Sequence, residues 1–234
     1  MSLTRRLSSE AIGSLFLAAT VIGSGVMAER LASGNMAVAL LANTAATVAV
    51  LAVLIALLEP ISGAHLNPAV TLVQALRGML PWRVAVSYGA VQVLGCCLGA
   101  ALAHAMFGLP WPQFSAHART GTGQWLAEAV ATCGLVLVVL GHRRPQDAAW
   151  MVAAWIGAAY WFTASTSFAN PAITIARSLS DTFAGSRPAD VPAFIAIHLA
   201  GALIALAAGQ MLFATRSALS LKPDPESMNH EVRS

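Results

Sequence analysis

The sequence predicts an all-α membrane protein with six transmembrane helices and two re-entrant half-helices in two inverted repeats. Of its 234 residues, 57% are hydrophobic and 10% are charged, whereas soluble domains carry about 25% charged residues. A bilayer core needs roughly 20 apolar residues per helix. Six stretches meet this need, and the tripeptide Asn-Pro-Ala occurs twice outside them. The stretches are about 10–30, 36–58, 82–106, 124–141, 148–167 and 191–213.

The repeats follow from the order of these stretches. Each half of the chain holds three long spans, with an Asn-Pro-Ala segment between the second and third. Because three is odd, the second half must enter the membrane from the opposite side, as in several transporter folds. We therefore expect a single channel domain over 1–234, with repeats at about 8–107 and 122–214 and a polar tail at 221–234.

The basic residues predict the orientation. With both termini in the cytoplasm, nine basic residues lie on the cytoplasmic side and four on the other, as expected from the excess of Lys and Arg in cytoplasmic loops. The nine are Arg5, Arg6, Arg77, Arg83, Arg143, Arg144, Arg216, Lys222 and Arg233. We expect a multi-pass protein of the cell inner (plasma) membrane. The net charge of +3 gives no reason to expect a nucleic-acid partner.

Each Asn-Pro-Ala segment reads as the start of a short helix. Asn is a favoured N-cap and Pro is favoured at the first helical position, so half-helices are expected over 67–77 and 170–180. Inverted symmetry brings their positive dipole ends to one point near the midplane. The amides of Asn67 and Asn170 remain there as donors. Such a site accepts water or a hydroxylated solute and repels cations.

These motifs resemble those of the major intrinsic protein family, the aquaporins and aquaglyceroporins. The likeness covers about 8–214, and Ser62-Gly63-Ala64-His65-Leu66-Asn67-Pro68-Ala69-Val70-Thr71 is close to the family's first signature. Asn170-Pro171-Ala172 is the second pore motif. The resemblance implies the aquaporin fold, a passive channel and a homotetramer. It also implies that Glu10 and Glu128 brace the re-entrant loops.

The resemblance further implies a second constriction, and here the chain departs from the family. Counting from the two asparagines assigns the filter to Thr47, Ala158, Ser167 and Ile173. Ile173 stands where the family usually has arginine. A one-residue slip stays open at the two long-helix positions, because Tyr160, Trp161 and Phe162 follow Ala158 closely.

Such a filter is expected to be wide and mostly apolar. Permeants would then include water, glycerol-like polyols and metalloid hydroxides such as arsenite or methylated arsenicals. An aliphatic residue followed by Thr-Ile-Ala-Arg also resembles a bacterial subgroup associated with arsenic resistance.

Two further residues have two interpretations each. Arg177 lies four residues beyond Ile173, about 6 Å further along the helix. It either guards the outer vestibule or is an arginine that snorkels or one that pairs with Asp181. His65 either lines the inner vestibule or hydrogen-bonds loop backbone.

Alternative functions are a secondary active transporter and a water-selective channel. Transporters usually carry ionisable groups at mid-membrane, and here the spans hold almost none besides Glu10 and Glu128. This favours the channel. The sequence has no nucleophile–base pattern, no phosphate loop and no metal-ligand spacing, so we expect neither an enzyme nor a bound cofactor or metal. The partners expected are small neutral solutes and the lipid bilayer.

Overall fold

The computed structural model describes residues 1–142 and 144–213, which form helices joined by loops. The polar tail predicted at 221–234 lies outside these residues. The described residues form six long helices: α1 (Leu3–Leu31), α2 (Met36–Ser62), α4 (Trp82–Phe107), α5 (Thr122–Gly141), α6 (Pro145–Phe162) and α8 (Val191–Phe213). Two short helices, α3 (Pro68–Leu76) and α7 (Pro171–Ser178), follow the Asn-Pro-Ala asparagines.

Five of the long helices in the described residues are long and apolar enough to cross a membrane. The 18-residue α6 is not in that group. It ends at Phe162, short of the stretch predicted to reach 167. The helix ends there because Thr163 has extended backbone, with φ of −107° and ψ of 139°. The positive φ of Thr166, Ser167 and Ala169 then prevents a return to right-handed helix.

Local signals in the sequence set several helix ends. The side chain of Asn35 accepts hydrogen bonds from the N–H groups of Ala37 and Val38 at the start of α2. Gly63 ends that helix with φ of 87°, in the left-handed region that glycine tolerates. Proline occupies the first position of α3, α6 and α7, where its missing N–H costs no hydrogen bond.

The two halves pack in the same way. The first helix of each half packs against the third, as α1 on α4 and α5 on α8. A Cβ on Gly95 would lie 2.4 Å from the Ala11 carbonyl oxygen, and a Cβ on Gly201 would lie 2.6 Å from that of Ala129. Small residues thus let the backbones touch. This matching contact relates α1 and α4 to α5 and α8 and agrees with the repeat seen in the sequence.

The contact at Gly95 makes a stability prediction. Gly95→Ala should lower the melting temperature of the purified protein, because overpacking a close contact costs about 1–3 kcal/mol. Gly89→Ala is the matched control on the same helix, since a Cβ there meets nothing within 4 Å. Thermal unfolding in detergent measures both. Equal melting temperatures for the two variants would show that α1 and α4 do not depend on this close approach.

Candidate functional site

A cavity of about 240 Å³ runs between the two halves. α2 and α6 each contribute every fourth residue to its wall, which places those residues on one face of the helix. Leu17 and Val21 of α1 and Leu135 and Val139 of α5 add apolar wall at corresponding places. The wall is therefore mostly aliphatic. The α2 and α6 residues are Thr47, Leu51, Ile55 and Glu59, and Ala148, Val152, Ile156 and Tyr160.

The two asparagines lie on this wall where the half-helices meet. Asn67 caps α3 by accepting from the Ala69 N–H at 2.9 Å, and Asn170 caps α7 by accepting from the Ala172 N–H at 2.9 Å. Each asparagine also donates to the opposite loop, Asn67 to the Ala169 carbonyl at 2.7 Å and Asn170 to the Leu66 carbonyl at 2.8 Å. An amide nitrogen carries two N–H groups, so one donor of each asparagine is left for the cavity.

A buried carboxylate holds each loop in place. Glu10 accepts from the N–H groups of His65 at 3.0 Å and Leu66 at 2.7 Å. Glu128 accepts from the N–H groups of Phe168 at 2.9 Å and Ala169 at 2.7 Å. Both glutamates are fully buried. They therefore supply charge-assisted acceptors to backbone that no helix satisfies.

A residue of the third helix in each half completes the carboxylate site. Gln92 donates to Glu10 at 2.8 Å, and His198 Nε2 lies 2.6 Å from Glu128. His65 also packs its ring edge on Tyr88, with centroids 5.3 Å apart, and Phe168 packs on Phe194 in the same way at 5.2 Å. The inverted repeat thus extends to side-chain contacts.

The loops are bent by left-handed residues in matching positions. Ala64 and Leu66 have φ of 44° and 49°, and Ser167 and Ala169 have φ of 48° and 47°. This conformation costs roughly 1–2 kcal/mol for a residue other than glycine. Leu66 and Ala169 also form hydrogen bonds through both main-chain groups. Their N–H groups donate to the glutamates, and their carbonyls accept from the asparagine side chains. Strain at these sites is thus offset by hydrogen bonds on both sides of the same residue.

The structure places three of the four predicted filter residues on the cavity and corrects the fourth. Thr47, Ser167 and Ile173 line it, whereas Ala158 is exposed on another face of α6. Two residues along a helix turn about 200°, so Tyr160 lies on the wall instead. Its hydroxyl is 3.3 Å from Thr47 Oγ1. This part of the wall therefore contains an aromatic ring, which the count from Asn170 missed. The recurrence of every fourth residue in α6 is the signal that identifies it.

His65 and Arg177 both line the cavity. His65 Nδ1 lies 3.1 Å from Thr71 Oγ1, a side chain of α3 and not loop backbone. Arg177 is 3% exposed and does not pair with Asp181, which accepts from the Ala116 N–H. Its guanidinium instead lies over the Phe168 ring, 3.4 Å from the centroid. No pattern in the sequence indicates this stacking.

Comparison with known proteins identifies the family. The pattern of the major intrinsic protein family matches residues 1–163. This chain belongs to that family. Aquaglyceroporin AqpS of Rhizobium meliloti (strain 1021) is 50% identical over 227 residues, 96% of this chain and 97% of the relative. Aquaporin A of Dictyostelium discoideum is 32% identical over 187 residues, 73% of this chain and 66% of the relative.

A solved structure agrees on the fold. The X-ray structure of the aquaglyceroporin from Plasmodium falciparum matches with a TM-score of 0.67 at 19% identity, covering 88% of this chain and 94% of that chain. The predicted family and the aquaporin fold are thus confirmed. As a member of the family, the chain is a multi-pass membrane channel and not an enzyme. Within the described residues, no group of three His, Cys, Asp or Glu side chains could hold a metal ion.

The buried carboxylates make a testable prediction for this family member. Glu128→Gln should lower the melting temperature and slow solute flux, because the new amide donor would face the loop N–H groups. Losing hydrogen bonds to a charged acceptor costs roughly 1.5–3 kcal/mol each. Glu29→Gln is the matched control, since Glu29 also accepts a backbone N–H, that of Phe183, but is exposed. Unchanged stability and flux in Glu128→Gln would contradict a bracing role.

Proposed function

We propose that the protein is a passive channel for water and small neutral solutes, foremost glycerol-like polyols. The observation that carries the proposal is the meeting of Asn67 and Asn170 on one cavity wall, each at the N-terminus of a half-helix. A helix N-terminus carries about half a positive charge. Two such ends and two amide donors suit a hydroxyl oxygen and repel a cation.

The lining supports a path for solutes larger than water. Ile173 contributes an aliphatic side chain on the wall next to Asn170. Tyr160, Thr47 and Ser167 contribute hydroxyl groups, and the Ser167 Oγ has no hydrogen-bond partner among the described residues. A polyol has one apolar and one hydroxylated side, which this mixture of groups matches. By the same chemistry we propose that neutral metalloid hydroxides such as arsenous acid, and methylated arsenicals, also pass.

The alternative of a secondary active transporter has less support. Ion coupling needs an ionisable group that is available at mid-membrane. Glu10 and Glu128 are fully buried, and each is already bound to two backbone N–H groups and a third-helix side chain. Neither glutamate lines the cavity. Their contacts fit a structural role better than an exchange of ions.

The same proposal covers the repeat boundaries, the oligomeric state and the membrane location. We propose repeats at 8–107 and 122–214, a homotetramer with one pore per subunit, and a place in the cell inner membrane with both termini in the cytoplasm. Large apolar side chains such as Leu57, Val86 and Ile204 are exposed on the outer faces of α2, α4 and α8. They suit contact with lipid or with another subunit.

The direct test is a flux panel on proteoliposomes. Stopped-flow swelling compares water, glycerol and urea, and direct uptake follows arsenite and methylated arsenicals. We expect glycerol flux well above that of protein-free liposomes and insensitive to uncouplers. Accumulation against a gradient would favour the transporter, and water flux without glycerol flux would favour the water-selective channel.

The aliphatic residue beside the second asparagine gives a variant prediction. Ile173→Arg should reduce glycerol uptake by about tenfold, because a long cationic side chain narrows the path and binds water. Ile173→Leu keeps the apolar surface and volume and is expected to stay near the wild type. Uptake in proteoliposomes measures both. Equal glycerol uptake in all three proteins would mean that Ile173 does not limit passage.

A further inference from the structure

One end of the cavity carries a buried cation without a carboxylate partner. Arg177 is 3% exposed, and none of the ion pairs between described residues includes it. Its Nε donates to the Ala184 carbonyl. A buried charge is costly unless it is paired or can reach solvent. Because Arg177 lines the cavity, its charge acts on any solute that enters the cavity.

This guanidinium stacks on an aromatic ring that it shares with a second arginine. Its carbon atom lies 3.4 Å from the centroid of Phe168, within the range of a cation–π contact. The guanidinium of Arg119 lies 5.2 Å from the same centroid. Arg119 is held by the carbonyls of Gly185 at 2.8 Å and Ser165 at 3.2 Å. Two positive charges are thus held around one ring beside the cavity.

The terminal nitrogens of Arg177 are left to act as donors. Within the described residues, the hydrogen bond of its side chain runs from Nε, and neither Nη1 nor Nη2 donates to another group. A guanidinium presents its N–H groups in a rigid planar fork that matches oxygen acceptors. The fork therefore offers donors to an oxygen-bearing solute.

The inverted repeat shows that the charge is specific to one end. Gln74 is the counterpart of Arg177, since both lie seven residues after the asparagine of their half and both line the cavity. His65 likewise takes the place of Phe168. At the α3 end, the half-buried carboxylate of Glu59 also lines the wall. The two ends of the path thus differ in the sign of the charge they present.

We propose that Arg177 determines which solutes enter this channel. Its charge, reinforced by Arg119, excludes cations, and its free fork donates to oxygen atoms of neutral solutes such as polyols. Phe168 keeps the guanidinium against the wall, so that the path stays open. Ile173, one turn nearer Asn170, then provides an apolar step between this donor site and the asparagines. The inference rests on the proposed channel function and names the residue that sets its selectivity.

The test compares a neutral solute with a small cation in proteoliposomes of the full chain. Glycerol uptake reports conduction, and methylammonium uptake reports cation exclusion. Arg177→Gln should raise methylammonium permeability by about tenfold or more while glycerol still passes, because a unit charge beside a narrow path of low dielectric dominates the barrier. Arg30→Gln is the control, because Arg30 also lies over a phenylalanine ring, that of Phe107, but is exposed and does not line the cavity. Both permeabilities of this variant should stay at wild-type values.

A third variant separates the charge from the fork. Arg177→Lys keeps the charge but loses the planar fork, so cation exclusion should persist while glycerol uptake falls. Gel filtration establishes that each variant is folded. If Arg177→Gln does not fold, Arg177→Lys and Phe168→Leu serve as the test, and Phe168→Leu should weaken cation exclusion.

Three results overturn the inference. One is a folded Arg177→Gln that excludes methylammonium as well as the wild type. Another is an Arg30→Gln variant that leaks methylammonium as much as Arg177→Gln does. The third applies if Arg177→Gln does not fold. It is the finding that Arg177→Lys and Phe168→Leu both pass glycerol and methylammonium at wild-type rates. A wild-type protein without glycerol flux would instead reject the proposed function itself.

Discussion

Backbone N–H groups outside helices need hydrogen-bond acceptors inside a membrane, and two buried carboxylates supply them here. Polar main-chain groups in a bilayer interior are costly unless they find partners within the protein. Glu10 and Glu128 each bind two consecutive N–H groups of the loop that leads into a half-helix. With these bonds in place, residues such as Leu66 and Ala169 can adopt left-handed conformations. The loop then turns sharply enough for a helix to begin in mid-membrane.

The meeting of the half-helices follows from that constraint. Each asparagine donates to the carbonyl that precedes the other asparagine, so the two loops are tied to one another. The same bonds orient the remaining amide N–H groups towards the cavity. Close contacts at Gly95 and Gly201 bring α4 and α8 against the helices that carry the glutamates. Packing, loop conformation and the donors on the cavity wall are therefore parts of one arrangement.

Much of this arrangement could be predicted from the sequence, because it depends on residues with strong local preferences. Asn followed by Pro starts a helix in either half, and α3 and α7 begin at Pro68 and Pro171 as expected. The repeat of these motifs established the inverted halves. The family resemblance supplied the glutamates. These features rest on short-range rules or on motif identity, which a single sequence carries.

The lining beside Asn170 and Arg177 could not be predicted in the same way. Counting back from Asn170 pointed to Ala158, but which face of α6 meets the cavity depends on where that helix ends and how its loop turns. The extended backbone of Thr163 sets the end of the helix, and three left-handed residues before Asn170 set the turn of the loop. The contact of Arg177 with Phe168 likewise depends on the shape of the loop between α6 and α7, which carries Phe168. Such tertiary contacts leave no spacing pattern in the sequence.

The central claim is that solutes cross through a preformed path lined by fixed donors. The most direct measurement is the temperature dependence of glycerol flux into wild-type proteoliposomes, compared with protein-free liposomes. In a preformed path the solute exchanges hydrogen bonds with water for hydrogen bonds with the channel, so the account predicts a shallow dependence. A dependence as steep as that of the bare bilayer would contradict it.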